Sequence, residues 1–468
     1  MSVIAPPQPQ APTDVGADRR TAELGLMVLG WAIGMFAFAQ VQWATDRPIT
    51  ITFWLLAGIT AGVGIALHLA VRTWARYAEP IMLPIAYLLN LLGLAMIYRL
   101  DIAEANRAEA NGSPIPTPVV ISQLTWLALG MVLLGGVLYF LRDHRWLQRF
   151  TYISLLAAVV LLLLPLVPGL GATINGATLW IRIGPFSFQP SEIAKILFAI
   201  FIAGFLVTAK DTLALVRKRW LGIAIPRGRD MGPLLVAWAM SMIVLVFERD
   251  FGTAIIFFGM FVITLYVATG RRSWLVISFG LVALGGLFAY LFFNHVRVRV
   301  KIWLDPFAYA NDEGYQIVQS LFGLANGGIF GTGLGQGYPN LVPYANSDFI
   351  IASFGEELGL TGLMAMLLLF AILIQRGLRT GVACRDTFGR LLAIALASVF
   401  ALQVFVIVGG VTKLIPMTGL VTPFLAAGGS SLIANWIMVG LLLRISDITR
   451  RPERVAPSGD TTGMKAVR

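Results

Sequence analysis

From residue 22 onward, long apolar runs alternate with short polar connections, and the runs recur at 22–42, 51–72, 79–98, 121–141, 151–168, 190–208, 231–247, 252–269, 274–293, 355–375, 389–410 and 420–443. Each is close to the ~20 residues that a helix needs to cross a ~30 Å hydrocarbon core. Lipid offers backbone amides no partners, so such runs span as helices; a barrel would read as short alternating segments. The pattern predicts an all-α, polytopic integral membrane protein of about twelve transmembrane helices, with a single transmembrane domain over 22–446. Residues 1–21, rich in Pro, Gln and Ala and ending in Arg19-Arg20, and residues 447–468 are expected to be disordered cytoplasmic tails. The first of these carries Pro and Asp where a signal peptide is basic, so it is not expected to be cleaved. One polar interruption, 295–354, is far longer than the others.

Composition strengthens the picture: 57% of residues are hydrophobic, 13% are charged, and the mean hydropathy is +0.80. The net charge of +11 raises nucleic acid or acidic lipid as partners, and its distribution decides between them. With the N-terminus inside, the inner connections carry Arg72 and Arg76, then Arg142, Arg145 and Arg149, then Lys210 and Arg217 to Arg229, then Arg271 and Arg272, then Arg376, Arg379 and Arg385. The tail adds Arg444, Arg450, Arg451 and Arg454, whereas loop 99–120 has Arg99 and Arg107 against three acids and loop 169–189 has Arg182 alone. That is the ordinary inside-positive signal and needs no nucleic acid. It puts both termini in the cytoplasm and 295–354 outside. Cys384 stands alone and the histidines are His68, His144 and His295, which excludes a disulfide framework, a cysteine metal cluster and an HExxH site. Any metal is expected on carboxylates or phosphates.

Candidate chemistry concentrates in 295–359. His295-Val-Arg297-Val-Arg299-Val-Lys301 alternates cations with valines at an outer surface, placed to meet anionic headgroups or a lipid-linked diphosphate. If this segment is extended, Arg297 and Arg299 share a face; if it is helical, only one can face a site. The run Gly327 to Gly337 lacks dinucleotide-binding spacing and a following lysine, so a cytosolic nucleotide and an organic cofactor are not expected. Asp348 lies just before an apolar run, where it serves either as a helix cap or as a base reachable by a lipid-linked substrate. Glu356 and Glu357 follow two helical turns later, either pointing toward the same cavity or complementing the helix N-terminus. In 169–189, alternation over Leu179 to Phe188 predicts an interfacial hairpin; the next span opens at Ser191-Glu192 with Lys195 in its first turn, paired to Glu192 or joining Arg182 in an outward cationic pocket. Glu248-Arg249-Asp250 sit in a connection too short to be solvated.

Taken together, Gln189-Pro-Ser-Glu192-Ile-Ala-Lys195, Asp250-Phe-Gly-Thr253, Gly314-Tyr-Gln316 with Gln319-Ser320, Ser347-Asp348-Phe349-Ile350, Glu356-Glu357-Leu-Gly359 and Gly428-Gly-Ser-Ser431 resemble the SEDS family (shape, elongation, division and sporulation), which includes RodA, FtsW and SpoVE. The resemblance covers about 169–446. It implies a family core of about ten spans, leaving about two extra helices at the N-terminus here. It further implies a peptidoglycan glycosyltransferase that polymerises lipid II at the outer face of the bacterial cytoplasmic membrane, with undecaprenyl diphosphate leaving and the glycan staying lipid-linked. A class B penicillin-binding protein is the implied partner, in elongation or division. On this resemblance Asp348 is the catalytic residue; Arg182, Lys195, Arg297, Arg299, Glu356 and Glu357 are expected to bind substrate, and a divalent cation, Mg2+ or Mn2+, would share the work of the cations. Two motifs depart from the family. Ala426-Ala427 stand where a Ser-Tyr pair is usual, and Tyr309 to Gln316 lacks the Asp-Pro of its motif, with Asp305 and Asp312 nearby. A lipid-precursor flippase or transporter and a non-enzymatic scaffold of wall synthesis are the alternatives from other classes.

Overall fold

The computed structural model describes residues 15–452 except 175–176, 184–185, 215–217, 221–222, 226–231 and 249. Fourteen helices are described: α1 Val15–Ala44, α2 Ile51–Trp74, α3 Met82–Ala110, α4 Val119–Phe140, α5 Thr151–Leu163, α6 Ser191–Ala214, α7 Gly232–Ile243, α8 Phe251–Thr269, α9 Arg272–Phe292, α10 Asn294–Leu304, α11 Tyr315–Gly327, α12 Ile350–Ala383, α13 Thr387–Val411 and α14 Gly429–Arg450. Eleven segments are long and apolar enough to cross a membrane; α7, prolonged by a π-helical turn over Val244–Glu248, fills the place of the twelfth expected crossing. Burial sorts them into layers: α3, α13 and α14 are almost wholly covered, whereas α9 turns most of its surface outward, as a peripheral helix facing acyl chains would. Helix reaches further into both expected tails than predicted, since α1 starts at Val15 and α14 runs to Arg450.

The start of α1 and the end of α14 lie on one face. Arg20 pairs with Glu23 and donates to the carbonyl of Ala78; the Tyr77 amide donates to Asp447 Oδ1 at 2.9 Å, and Arg450 pairs with Glu79. The opposite face carries a three-stranded antiparallel sheet, β1 Gly171–Ile174, β2 Ala177–Ile183 and β3 Phe186–Phe188, which realises the expected hairpin and adds a strand. A small hairpin, β4 Lys218–Trp220 with β5 Ile223–Ile225, joins α6 to α7.

The region 295–354 is not an open loop. It folds as α10, α11 and short 3-10 turns, and α11 lies along α12. The last span also differs from expectation, starting at Gly429 rather than 420, because 412–428 runs as turns and extended chain, with Pro416 and Pro423 unable to donate. Non-helical backbone at membrane depth persists only where protein satisfies it. Buried Asn90 of α3 donates to the Phe424 carbonyl at 3.0 Å; buried Gln123 of α4 donates to Ala426 O at 3.1 Å and accepts from the Gly428 amide at 3.3 Å.

The second such place is inside α12. Gly359 has φ 67° and ψ −170°, which interrupts the helix. The freed carbonyls of Glu356 and Glu357 accept from the Thr332 and Gly333 amides at 3.0 Å, and the freed amides of Leu360 and Thr361 donate to Gly328 O at 2.9 Å and Ile329 O at 3.0 Å. The glycine-rich run is therefore a strand-like patch for a broken helix. A β-carbon on Gly359 would stand 2.3 Å from the Gly331 nitrogen. We expect Gly359→Ala to lower the melting midpoint in detergent, since a non-glycine residue held in such a conformation costs about 1–3 kcal/mol before any clash. Gly286→Ala on α9, where an added β-carbon meets nothing within 4 Å, should leave the midpoint unchanged; equal midpoints for both variants would contradict the assignment.

Candidate active site

On the face opposite the termini, α10, the start of α11, the turn before α12 and the 412–428 segment enclose a cavity of about 560 Å³. Its polar lining is His295, Arg299 and Trp303 from α10, Glu313 and Gln316 at the start of α11, and Tyr344 and Asp348 before α12. The helical state of α10 decides which cation enters. Successive residues turn by about 100°, so Arg299 and Trp303, four apart, share a face that Arg297 does not. Arg299 Nη1 donates to Met417 O at 3.3 Å and Thr418 O at 3.1 Å, and Trp303 Nε1 donates to Lys413 O at 3.1 Å, so α10 is fastened along the irregular segment. Gly419, at φ 76°, sits where a β-carbon would be 3.8 Å from Asp348 Oδ2 and 3.9 Å from Arg299 Nη2.

Asp348 is not a helix cap. The residue preceding α12 is Phe349, no side chain caps that helix, and the turn is closed instead by the Ser347 and Phe349 amides donating to Tyr344 O at 3.0 and 3.2 Å. Its carboxylate is left to line the cavity. Burial pushes the Asp348 pKa up to about 6, with the Arg299 charge opposing that rise and the Asp250 charge adding to it. Burial likewise lowers the Arg299 guanidinium from its ordinary value, while Asp250 and Asp348 hold it up. Asp250 is fixed as the cap of α8: its two oxygens accept from the Thr253 amide at 2.9 Å and the Thr253 hydroxyl at 2.6 Å. Of the Glu248-Arg249-Asp250 cluster, Arg249 lies outside the described residues.

The other expected site residues are elsewhere. Arg297 is exposed on the far side of α10, because the segment is helical and not extended. Arg182 is exposed on β2, opposite Ser187 of β3. Lys195 is buried in an ion pair with Glu192 on α6, one helical turn away, and does not reach an outward pocket. Glu356 and Glu357 point away from the cavity toward the glycine-rich run. Glu356 Oε1 accepts from Asn326 Nδ2 at 3.2 Å and the Tyr338 amide at 2.9 Å; Glu357 accepts from Arg99 Nε at 3.1 Å and the Gly335 amide at 2.9 Å, and Arg99 Nη2 donates to Gly337 O at 2.7 Å. They hold the scaffold of the site. Glu313, Trp303 and Tyr344 are lining residues not named among the candidates from the sequence, and Gln316 was named only as part of a motif. The signal for Trp303 was the four-residue spacing from Arg299; Glu313 and Gln316 flank the Gly314-Tyr315 step already noted. Asp305, Asp312 and Glu313 are all exposed, and of the three Glu313 lines the cavity.

Asp348 and Glu313 are the cavity carboxylates that would hold a divalent ion, with the remaining positions left to substrate oxygens. Among the described residues, His144, Cys384 and Asp386 do converge within 4.8 Å despite their scarcity in the sequence, but at the face of the termini. Asp386 Oδ2 is engaged there by His144 Nε2 at 2.8 Å and Cys384 Sγ at 3.2 Å.

The FtsW/RodA/SpoVE family model, described as cell cycle protein, matches residues 80–451. The Mycobacterium tuberculosis peptidoglycan glycosyltransferase RodA is 48% identical over 452 residues, 96% of this chain and 95% of that protein. A probable peptidoglycan glycosyltransferase FtsW of a Geobacter species is 33% identical over 371 residues, 79% of this chain and 96% of that one. Among solved structures, a chain of a peptidoglycan synthase complex described as coordinating polymerization and crosslinking superposes with TM-score 0.59 at 26% identity, over 78% of this chain and 98% of that chain.

The raised pKa of Asp348 has a thermodynamic signature. Between about pH 4 and pH 6 the folded protein binds more protons at this residue than the unfolded chain, so its contribution falls as pH rises through that window. Asp348→Asn, which removes the buried charge, is expected to raise the melting midpoint at pH 8 and to give no gain at pH 4. A lower midpoint at pH 8 would mean that the carboxylate stabilises the fold.

Proposed function

The chain belongs to the FtsW/RodA/SpoVE family of cell cycle proteins, and we propose that this peptidoglycan glycosyltransferase polymerises lipid II in the Asp348 cavity, with Asp348 as general base and Arg299 as the cation that meets the donor diphosphate. The observation that carries the reading is the pairing of an uncapping, desolvated carboxylate with a half-buried guanidinium in one cavity at the membrane surface.

The chemistry follows from what each group can do. A sugar hydroxyl attacks the anomeric carbon that bears the diphosphate; the new C–O bond forms as the bond to the diphosphate oxygen breaks, and the hydroxyl proton passes to Asp348. One displacement inverts the anomeric centre. The diphosphate is a good leaving group and takes the electron pair, so no strong acid is needed; a preorganised cation stabilises the charge that develops. Arg299 suits that role because Met417 O and Thr418 O already fix its guanidinium beside Gly419. A divalent cation held by Asp348, Glu313 and diphosphate oxygens would supply further charge neutralisation. Arg297 and Arg182, both exposed, would act at most on headgroups near the membrane surface.

The chain is a multi-pass membrane protein. We place its termini in the cytoplasm and the cavity outside, on the inside-positive distribution and on the termini sharing a face remote from Asp348. The synthase complex among its structural relatives supports a class B penicillin-binding protein, the cross-linking transpeptidase, as partner, and the higher identity to RodA than to FtsW supports elongation over division.

Two measurements test this. In purified protein supplied with lipid II, Asp348→Asn and Asp348→Ala should each lower polymerisation by about 10²–10⁴-fold while the protein remains folded. The wild-type rate should rise through about pH 6 as Asp348 ionises. Arg299→Ala should fall with them, whereas Arg297→Ala and Arg182→Ala keep most activity; near-normal polymerisation by Asp348→Asn would sink the assignment. For orientation, single cysteines replacing Ala110 and Asn340 in a Cys384→Ser background should react with an impermeant reagent from outside, and one replacing Trp74 should not. The reverse labelling would invert the topology.

A further inference from the structure

A second site lies where α2, which precedes the family match, packs beside α4, which lies within it. Between α2 and α4 runs an apolar groove of about 510 Å³, walled by Ala66, Leu67 and Ala70 on one side and by Ala128, Gly135 and Gly136 on the other. Trp74 and Tyr139 stand at its end, with ring centroids 5.3 Å apart, and both also line an adjoining cavity of about 340 Å³. That cavity is cationic, with Arg142, Arg444 and Arg451 in its wall, and it lies at the face of the termini. Asp447, fully buried, is shared among Arg444, Arg451 and the Tyr77 amide. Two of the three guanidinium groups thus share one buried carboxylate. Arg444 is itself 2% exposed; its Nη atoms donate to Trp74 O and Leu138 O, but its buried Nε has no hydrogen-bond partner among the described residues. Arg142 is exposed at the mouth.

We propose that this continuous slot binds an anionic phospholipid, with the headgroup phosphate on Arg142 and Arg451 in front of Arg444, and one acyl chain in the α2–α4 groove. The apolar groove requires a hydrocarbon chain, and the excess of cations at its inner end requires a negative headgroup; a free phosphate satisfies only the second and a neutral lipid only the first. A partner's transmembrane helix would fit the small residues of the groove but would bring no anion to the exposed Arg142 and Arg451. Because α2 precedes residue 80, where the family match begins, one wall of the groove comes from the added N-terminal helices, while α4 and the arginines belong to the matched part.

The test uses the full-length protein in detergent, titrated with phosphatidylglycerol, with phosphatidylcholine of the same acyl chains, or with inorganic phosphate. Bound lipid is counted by native mass spectrometry alongside the melting midpoint. Phosphatidylglycerol should be retained and raise the midpoint, while phosphatidylcholine and inorganic phosphate do neither. Arg142→Gln and Arg451→Gln should each weaken retention about fivefold, the effect of one basic side chain at an anionic surface. Gly135→Leu should block it with every arginine present; its added β-carbon meets only Trp74 at 3.7 Å, and an unchanged melting midpoint without lipid checks that the fold accepts the longer side chain. Equal retention of phosphatidylcholine, a midpoint shift with phosphate alone, or retention unchanged in both arginine variants would overturn the proposal. So would loss of a co-purifying membrane partner in Gly135→Leu with lipid retention intact, which would assign the groove to that partner's helix.

Discussion

The structure depends on one constraint: backbone amides and carbonyls at membrane depth must find protein partners when they leave a helix. The chain leaves helical geometry at two such places, the break at Gly359 and the segment 412–428. Each is enclosed by polar side chains that would otherwise be out of place in an apolar bundle. Asn90 and Gln123 answer the second; at the first, the amides and carbonyls of the glycine-rich run take up the backbone, and Glu356, Glu357 and Arg99 pin that run. The cavity lies between these two departures. Its floor at Met417 to Gly419 is irregular backbone, and its wall at Asp348 begins the helix that breaks at Gly359.

Desolvation then sets the chemistry. A carboxylate near the membrane surface, with burial dominating its surroundings, becomes a better proton acceptor than one in water, and Asp250 nearby strengthens the effect. Arg299 limits that effect: its charge opposes the rise at Asp348, while Asp348 and Asp250 favour its own charged form. The carbonyls of Met417 and Thr418 aim the guanidinium, so the cation does not have to be organised by substrate. Lys195 and Glu192, at the start of α6, belong to a buried pair whose loss would be felt as stability before activity.

Hydropathy made the spans legible because lipid imposes length and apolarity together, and the Asp348 motif was legible because its residues are contiguous. What failed were inferences from local pattern about direction. Arg297-Val-Arg299 has the period of a strand, but α10 follows α9 after a single residue and folds as a helix, which separates the two arginines. Glu356 and Glu357 stand at the right distance in a continuous helix, but the partners that claim them, Arg99 and the amides of Gly335 and Tyr338, are remote in sequence or hidden among glycines. The start of the last span moved from 420 to Gly429 because apolar residues around Pro423 serve a buried turn, which hydropathy cannot distinguish from a helix. Glu313 escaped notice since an acid one residue before Gly314 carries no signal until the turn leading into α11 places it in the lining of the cavity.

The two N-terminal helices are part of this same scaffold. α1 packs along α3, and its last turn reaches the glycine-rich run: a β-carbon on Gly335 would lie 2.6 Å from Ala44 Cβ. The Gly335 amide donates to Glu357, which is paired to Arg99 on α3. From α1, therefore, a short chain of contacts leads through the clamp at Glu357 to the helix break, and along α12 to Asp348. The family match begins only at residue 80, yet the mycobacterial relative is matched over 96% of this chain. Helices added at the edge of a bundle would be expected to touch only lipid on their outer faces and one neighbour within; α1 instead closes over the patch that lets α12 break, so the addition bears on the geometry of the catalytic face as well as on the size of the domain.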